Sequence, residues 1–107
     1  MLCPLEGFGM KFLITTTPRR LQVPPVALLA ATKAWINAKL ADKTLDCCYG
    51  FITGGGVSIC NAESADAVLG LLMSYPAYYG SDWKIDALCD IGLAMDQVIA
   101  MVRRAGG

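Results

Sequence analysis

The side chains with chemical potential in this chain are few and spread along it. Lys84 and Asp86 stand two apart in WKIDALCD, so on an extended strand both project to one face. Tyr49 lies on a second extended run and is expected to reach the same space once the strands pair. A carboxylate, an ammonium and a phenol can remove a proton beside a carbonyl and hold the enolate, with no need of histidine. Asp86, Lys84 and Tyr49 are therefore the candidate catalytic set, and an ordinary salt bridge is the competing reading of Lys84 with Asp86. An apolar wall would raise the Asp86 pKa and the neighbouring ammonium would lower it. Arg19 and Arg20, just beyond the first strand, present guanidinium forks suited to a carboxylate or phosphate group. Tyr78 and Tyr79, with Tyr75 nearby, fit either a pocket mouth or a subunit contact. These two arginines and the tyrosine pair Tyr78 and Tyr79 are the candidate substrate-binding residues.

Other chemistries are excluded by what is missing. The chain has no histidine, which removes Ser-His and Cys-His nucleophile pairs, His-ligated zinc or iron and the usual proximal haem ligand. Five cysteines, Cys3, Cys47, Cys48, Cys60 and Cys89, have no C-x-x-C spacing and are odd in number, which fits reduced thiols better than a disulfide framework or a closed zinc site. Cys89 has no basic partner in view to activate it as a nucleophile. No cofactor and no metal is expected. Nine Lys and Arg balance nine Asp and Glu, so there is no basic field for a nucleic acid or a polybasic membrane contact. No apolar run approaches the ~20 residues that span a bilayer, and no secretory signal is evident, so the reading is a soluble, cytoplasmic protein.

The elements that must position these groups follow from periodicity. Lys11 to Thr17 alternates and is β-branched, a strand ended by Pro18. Pro24 and Pro25 suit the start of a helix running to about Lys43, with Val26, Leu29, Ile36 and Leu40 as the inward stripe. Leu28 and Trp35 fall among polar residues and read as a subunit contact, and Lys33 snorkels at the edge of the stripe. Leu45 to Thr53 is a second strand, with Leu45, Cys47, Tyr49 and Phe51 on one face, so adjacent Cys47 and Cys48 point opposite ways. Gly54 to Gly56 then closes a hairpin with Val57 to Asn61; a phosphate loop is the weaker alternative, since no Lys-Ser/Thr and no helix follow. Asn61 caps a helix beginning near Glu63 and stopped by Pro76. Trp83 to Asp90 is a fourth strand, and Ile91 to Arg104 a terminal helix.

The order is β-α-β-β-α-β plus a C-terminal helix, an α+β, ferredoxin-like pattern of a four-stranded antiparallel sheet with two helices on one face. At 107 residues it makes a single domain over residues 10–107, with residues 1–9 as a flexible extension and Met10 as a possible natural start. The chain is 55% hydrophobic and 17% charged, too apolar for the second sheet face to stay wet. A second copy is expected to cover it, leaving a hollow between sheet and subunit.

The segment Met73 to Asp90, MSYPAYYGSDWKIDALCD, resembles the C-terminal signature of muconolactone isomerase: a helix end, a proline, an aromatic loop, and a strand reading Ile85-Asp86-Ala87-Leu88-Cys89. The resemblance in element order spans Met10 to Asp90. It implies a dimeric α+β barrel, assembly into a homodimer or larger symmetric homo-oligomer, and cofactor-free proton shuttling on a small lactone acid. The expected function is isomerase-like proton transfer on a small organic ligand, with a noncatalytic, oligomeric small-ligand-binding protein as the alternative.

Overall fold

The computed structural model describes residues 9–19 and 23–106. Arg20, Cys3 and the extension expected over the first residues, up to residue 8, lie outside the described residues. The elements are β1 (Met10–Pro18), α1 (Val26–Ala41), β2 (Leu45–Gly50), β3 (Gly56–Ala62), α2 (Ala65–Met73), a 3-10 turn (Tyr78–Gly80), β4 (Ser81–Leu88) and α3 (Ile91–Arg104). The strands form one antiparallel sheet in the order β2-β3-β1-β4. This is the ferredoxin-like α+β fold expected from the order of elements. No described helix is long and apolar enough to cross a membrane.

Paired residues share a face, so the register sorts every strand position. Phe12, Ile14 and Thr16 of β1 stand with Cys60, Ser58 and Gly56 of β3 and with Ala87, Ile85 and Trp83 of β4. That face carries the core: Phe12, Ile14, Leu45, Cys60 and Ala62, covered by Val68 and Leu72 of α2. The opposite, uncovered face shows Leu13, Thr15, Val57, Ile59, Lys84 and Asp86.

The β2–β3 hairpin closes through glycine, as its sequence implies. Gly54 and Gly55 have φ of 108° and 83°, values costly for any residue with a Cβ. Phe51 N–H donates to the Gly55 carbonyl at 2.9 Å and Gly54 N–H to the Phe51 carbonyl at 3.0 Å. A Cβ at Gly55 would run into the Thr16 carbonyl oxygen.

Strand β2 departs from simple alternation. Leu45 pairs with Cys60 and Cys47 with the next residue back, Ile59, so Asp46 is an extra residue, a β-bulge. The bulge puts Leu45 with Cys48 on the helix face and Cys47 with Tyr49 on the open face, where unbroken alternation would have grouped Leu45 with Tyr49. Burial of Leu45 explains the choice, since it is 2% exposed and sits in the core. The bulged Asp46 is held in place by polar contacts. Lys11 Nζ donates to Asp46 Oδ2 and, at 2.9 Å, to Asn61 Oδ1. Asn61 Nδ2 donates to Asp46 Oδ1 at 2.8 Å and to the Lys43 carbonyl at 3.0 Å. Desolvation pushes the Asp46 carboxyl up, but the hydrogen bonds from Lys11 and Asn61 and the Lys11 and Lys43 charges outweigh it and hold the pKa below 3.8. Asn61 is thus buried and occupied at the end of β3, an inner strand. The cap of α2 is Ser64 instead, which accepts from Ala67 N–H at 3.2 Å.

Helix α1 keeps part of the expected stripe, since Ile36 and Leu40 are half-buried and Leu40 packs against the core, but its inward face is wider and turned toward Trp35. Val26 is 81% exposed, Leu29 is exposed at the cavity rim and Lys33 points to water, whereas Leu28, Thr32, Trp35 and Lys39 are half-buried at helical spacing. Trp35, expected as an outward subunit contact, packs against the core. The helix is apolar almost all round, VALLAATKAWINAKLA, so its hydrophobicity fixes no direction and the largest side chain decides. Trp35 gains a 2.9 Å hydrogen bond from its indole N–H to Ser74 Oγ and an edge-on contact with Tyr75, ring centroids 5.1 Å apart.

The fourth strand ends at Leu88, two residues before the expected limit, because Asp90 caps α3, accepting from Leu93 N–H at 2.8 Å. Helix α3 buries none of its side chains. It helps give the molecule extents of 59 × 32 × 24 Å, and Ile91, Leu93, Met95 and Met101 along it are exposed.

Candidate functional site

A cavity of about 320 Å³ lies between α1 and the helix face of the sheet. Ile14, Thr16 and Ser58 form its floor, Leu28, Thr32 and Trp35 its roof, and Leu72, Tyr75 and Trp83 its side. This hollow lies within one copy, on the sheet face opposite the one expected to meet a second copy. It forms because the α1 residues facing the sheet include the small Thr32, and because β3 brings Gly56 and Ser58 to the floor, leaving volume that the two tryptophans do not fill.

The aromatic side is built as a chain of edge contacts. Tyr75 stands edge-on to Trp35 and, at 5.2 Å and 84°, to Trp83, and Tyr78 stacks on Trp83 at 6.1 Å. Both indole N–H groups are already used, since Trp83 Nε1 donates to the Tyr78 carbonyl at 3.3 Å. Thr32 Oγ1 donates to the Leu28 carbonyl and Ser81 Oγ to the Ala77 carbonyl. No charged side chain is among the described lining residues. The ionisable groups that do face the cavity are the Cys48 thiol and the Tyr75 phenol. Burial pushes the Cys48 thiol up, with a smaller contribution from Cys47, so Cys48 is protonated and a poor nucleophile at neutral pH. Burial likewise pushes Tyr75 above its ordinary 10, with Cys48 adding to it, and the phenol is a neutral donor.

The sequence-derived site residues are placed as follows. Lys84 and Asp86 share the open face, as their spacing implies, with Lys84 Nζ 3.8 Å from Asp86 Oδ2 and their side chains 75% and 46% exposed. Neither lines the cavity. Tyr49 stands in the same cross-sheet row as Lys84, through Val57 and Thr15. Three strand spacings of ~4.8 Å separate the two, about 14 Å in all. The sheet brings Lys84 to Asp86 and does not bring Tyr49 to either. Tyr49 borders the cavity at its hairpin end, although the register directs its side chain to the open face. Arg19 flanks the mouth next to Pro18. Its Nε lies 3.1 Å from Asp82 Oδ1, its Nη2 donates to the Tyr79 carbonyl at 2.8 Å, and its main-chain N–H to the Gly80 carbonyl at 2.9 Å. Arg19 therefore ties the end of β1 to the 3-10 turn. Tyr79 is exposed on that turn and Tyr78 is packed beneath it. The cavity residues that local pattern did not single out are Trp35, Trp83, Cys48, Thr16 and Ser58. The usable signal was the clustering of both tryptophans and Tyr75 near small residues, which only the pairing of β1 with β4 turns into a wall.

Among the described residues, Cys47, Cys48, Cys60 and Cys89 are free thiols, and no three His, Cys, Asp or Glu side chains come together as a metal-ligating group. No protein-family model matches this chain, and no curated protein matches it. Among solved structures, it superposes on a crystal structure of muconolactone isomerase with a TM-score of 0.68 and 21% sequence identity, covering 76% of this chain and 90% of the other.

Proposed function

We propose that this chain, which has the fold of muconolactone isomerase, holds a small organic molecule in the cavity between α1 and the sheet. The observation that carries the reading is the void itself. Interiors pack to the density of organic crystals, and 320 Å³ falls in the ~300 to 1,000 Å³ range of ligand sites. The chain has two tryptophans and both line the cavity, so a bound molecule changes their fluorescence. Titration with cyclic ketones and lactones is expected to give a saturable change. Ser58→Leu fills the floor and is expected to abolish it with the far-UV circular dichroism intact. An unaltered response in that variant would locate binding elsewhere and defeat the reading.

Isomerisation by proton transfer is the second reading, favoured by the fold and by the Lys84–Asp86 pair. Asp86 is its base and Lys84 the cation beside it, while Tyr49, about 14 Å along the row, serves the far end of a substrate or a second site. Arg19, Arg20, Tyr78 and Tyr79 are proposed at the entrance of the cavity under α1 and belong to the first reading. This chemistry needs the open face covered, and a second copy of the chain is the proposed cover, with the bare apolar side of α3 reaching the same partner. The free thiols suit the reducing cytoplasm. Solvent deuterium uptake into unsaturated lactones, lost in Asp86→Asn, is the expected result; uptake unchanged in that variant removes Asp86 as the base. Light scattering is expected to report an oligomer at micromolar concentration, and a monodisperse monomer would remove the partner.

A further inference from the structure

The lining of the cavity carries information on what it accepts. The indoles of Trp35 and Trp83 and the hydroxyls of Thr32 and Ser81 donate to neighbouring protein groups. The hydroxyls of Thr16 and Ser58 on the floor and the Tyr75 phenol have no hydrogen bond to another described residue, and of these Tyr75 stands between the two tryptophans on the cavity wall. Its ring is fixed on both sides by edge contacts, so the hydroxyl is preorganised and costs little entropy to use. Burial keeps it protonated, so it can donate one hydrogen bond to an acceptor inside the cavity.

Charge is the second feature. The nearest described cations are engaged outside the lining: Lys39 Nζ lies 5.9 Å from the centroid of the Trp35 ring, and Arg19 is paired with Asp82. A carboxylate entering the cavity would lose its water without gaining a described cation, a large desolvation penalty. Size is the third. A cavity of ~150 Å³ lined by aliphatic and aromatic groups accommodates benzene, so 320 Å³ takes a six-membered ring bearing a short substituent.

We infer that the cavity selects uncharged ring compounds that bear a carbonyl substituent, with the Tyr75 phenol as the polar anchor on the carbonyl oxygen, and refuses the corresponding carboxylates. This rests on the reading of the cavity as a ligand site. It differs from the carboxylate-bearing lactone that the family resemblance implies, and it makes Tyr75 a specificity residue.

Three probes of one ring size separate the contributions: acetophenone has the carbonyl, ethylbenzene lacks it, and benzoate carries the charge. Isothermal titration calorimetry at neutral pH is expected to rank acetophenone first, ethylbenzene about tenfold weaker through loss of one hydrogen bond, and benzoate weaker than acetophenone by at least about a hundredfold. Tyr75→Phe is expected to bring acetophenone down to ethylbenzene while leaving ethylbenzene unchanged, which a merely structural role for Tyr75 would not do. If Tyr75→Phe perturbs folding, the ranking of the three probes on the natural chain decides alone. Benzoate binding as tightly as acetophenone, or an acetophenone advantage that survives in Tyr75→Phe, overturns the inference and leaves the cavity as a ligand site. Failure of all three probes to bind overturns both.

Discussion

Replacing Trp35 with alanine tests the orientation of α1, because apolar periodicity alone would have put Val26 inward and Trp35 outward. Full truncation of a buried tryptophan costs about 3–5 kcal/mol. Trp35 is half-buried, which takes the packing loss to about 2 kcal/mol by area. The edge contact with Tyr75 at 5.1 Å adds about 0.5–1.5 kcal/mol, and the hydrogen bond to Ser74 Oγ about 1 kcal/mol. The expected loss is about 3.5–4.5 kcal/mol. Trp35→Phe keeps the ring and forfeits the hydrogen bond, for an expected loss of about 1–2 kcal/mol. Val26→Ala, at an exposed position, is expected to stay within about 0.5 kcal/mol. Urea unfolding followed by far-UV circular dichroism, at one fixed protomer concentration, measures all three on the same scale. A Trp35→Ala loss no greater than that of Val26→Ala would mean that α1 does not roof the cavity with this residue.

The bulge network makes a prediction in pH. The folded pKa of Asp46 is depressed, so its contribution to stability is present above the unfolded carboxylate value and is lost as pH falls through the lower folded value. Asp46→Asn is expected to cost about 1 kcal/mol at pH 7, allowing for its partial exposure. The gap to the natural chain should close as pH falls below the ordinary carboxylate range; a gap that stays constant on acidification would detach Asp46 from the network. At the hairpin, Gly54→Ala meets only an unfavourable φ and is expected to cost about 1 kcal/mol. Gly55→Ala adds a clash with the Thr16 carbonyl, for at least about 2 kcal/mol in thermal or urea unfolding. Equal losses at the two glycines would contradict the close approach of the turn to β1.

Much of the architecture is legible in local pattern, and the failures have identifiable causes. Alternation at Lys11 to Thr17 and Trp83 to Leu88, the glycine run at Gly54 to Gly56 and the proline before Val26 locate strands, hairpin and helix start within a few residues. Alternation cannot register an inserted residue, so the bulge at Asp46 reverses the expected grouping of Leu45 with Tyr49. Helix α1 is too uniformly apolar for its periodicity to choose a face, and Trp35 chooses it through contacts with α2 and the following segment. For the site, spacing alone joins Lys84 to Asp86. Tyr49 is separated from them because β3 and β1 lie between β2 and β4, and strand order is a property of the whole chain. The cavity under α1 has no local signature, because Thr32 and the β3 residues Gly56 and Ser58 meet across it only once helix and sheet are packed, with Trp35 and Trp83 at its side.

Crystals soaked with 4-bromoacetophenone test the central claim most directly, because bromine marks its own position by anomalous scattering. The account predicts one ordered bromine between α1 and the helix face of the sheet, with the ketone oxygen within hydrogen-bonding distance of the Tyr75 hydroxyl. Bromine ordered only on the open face beside Lys84 and Asp86, or nowhere with the cavity filled by side chains, would contradict it.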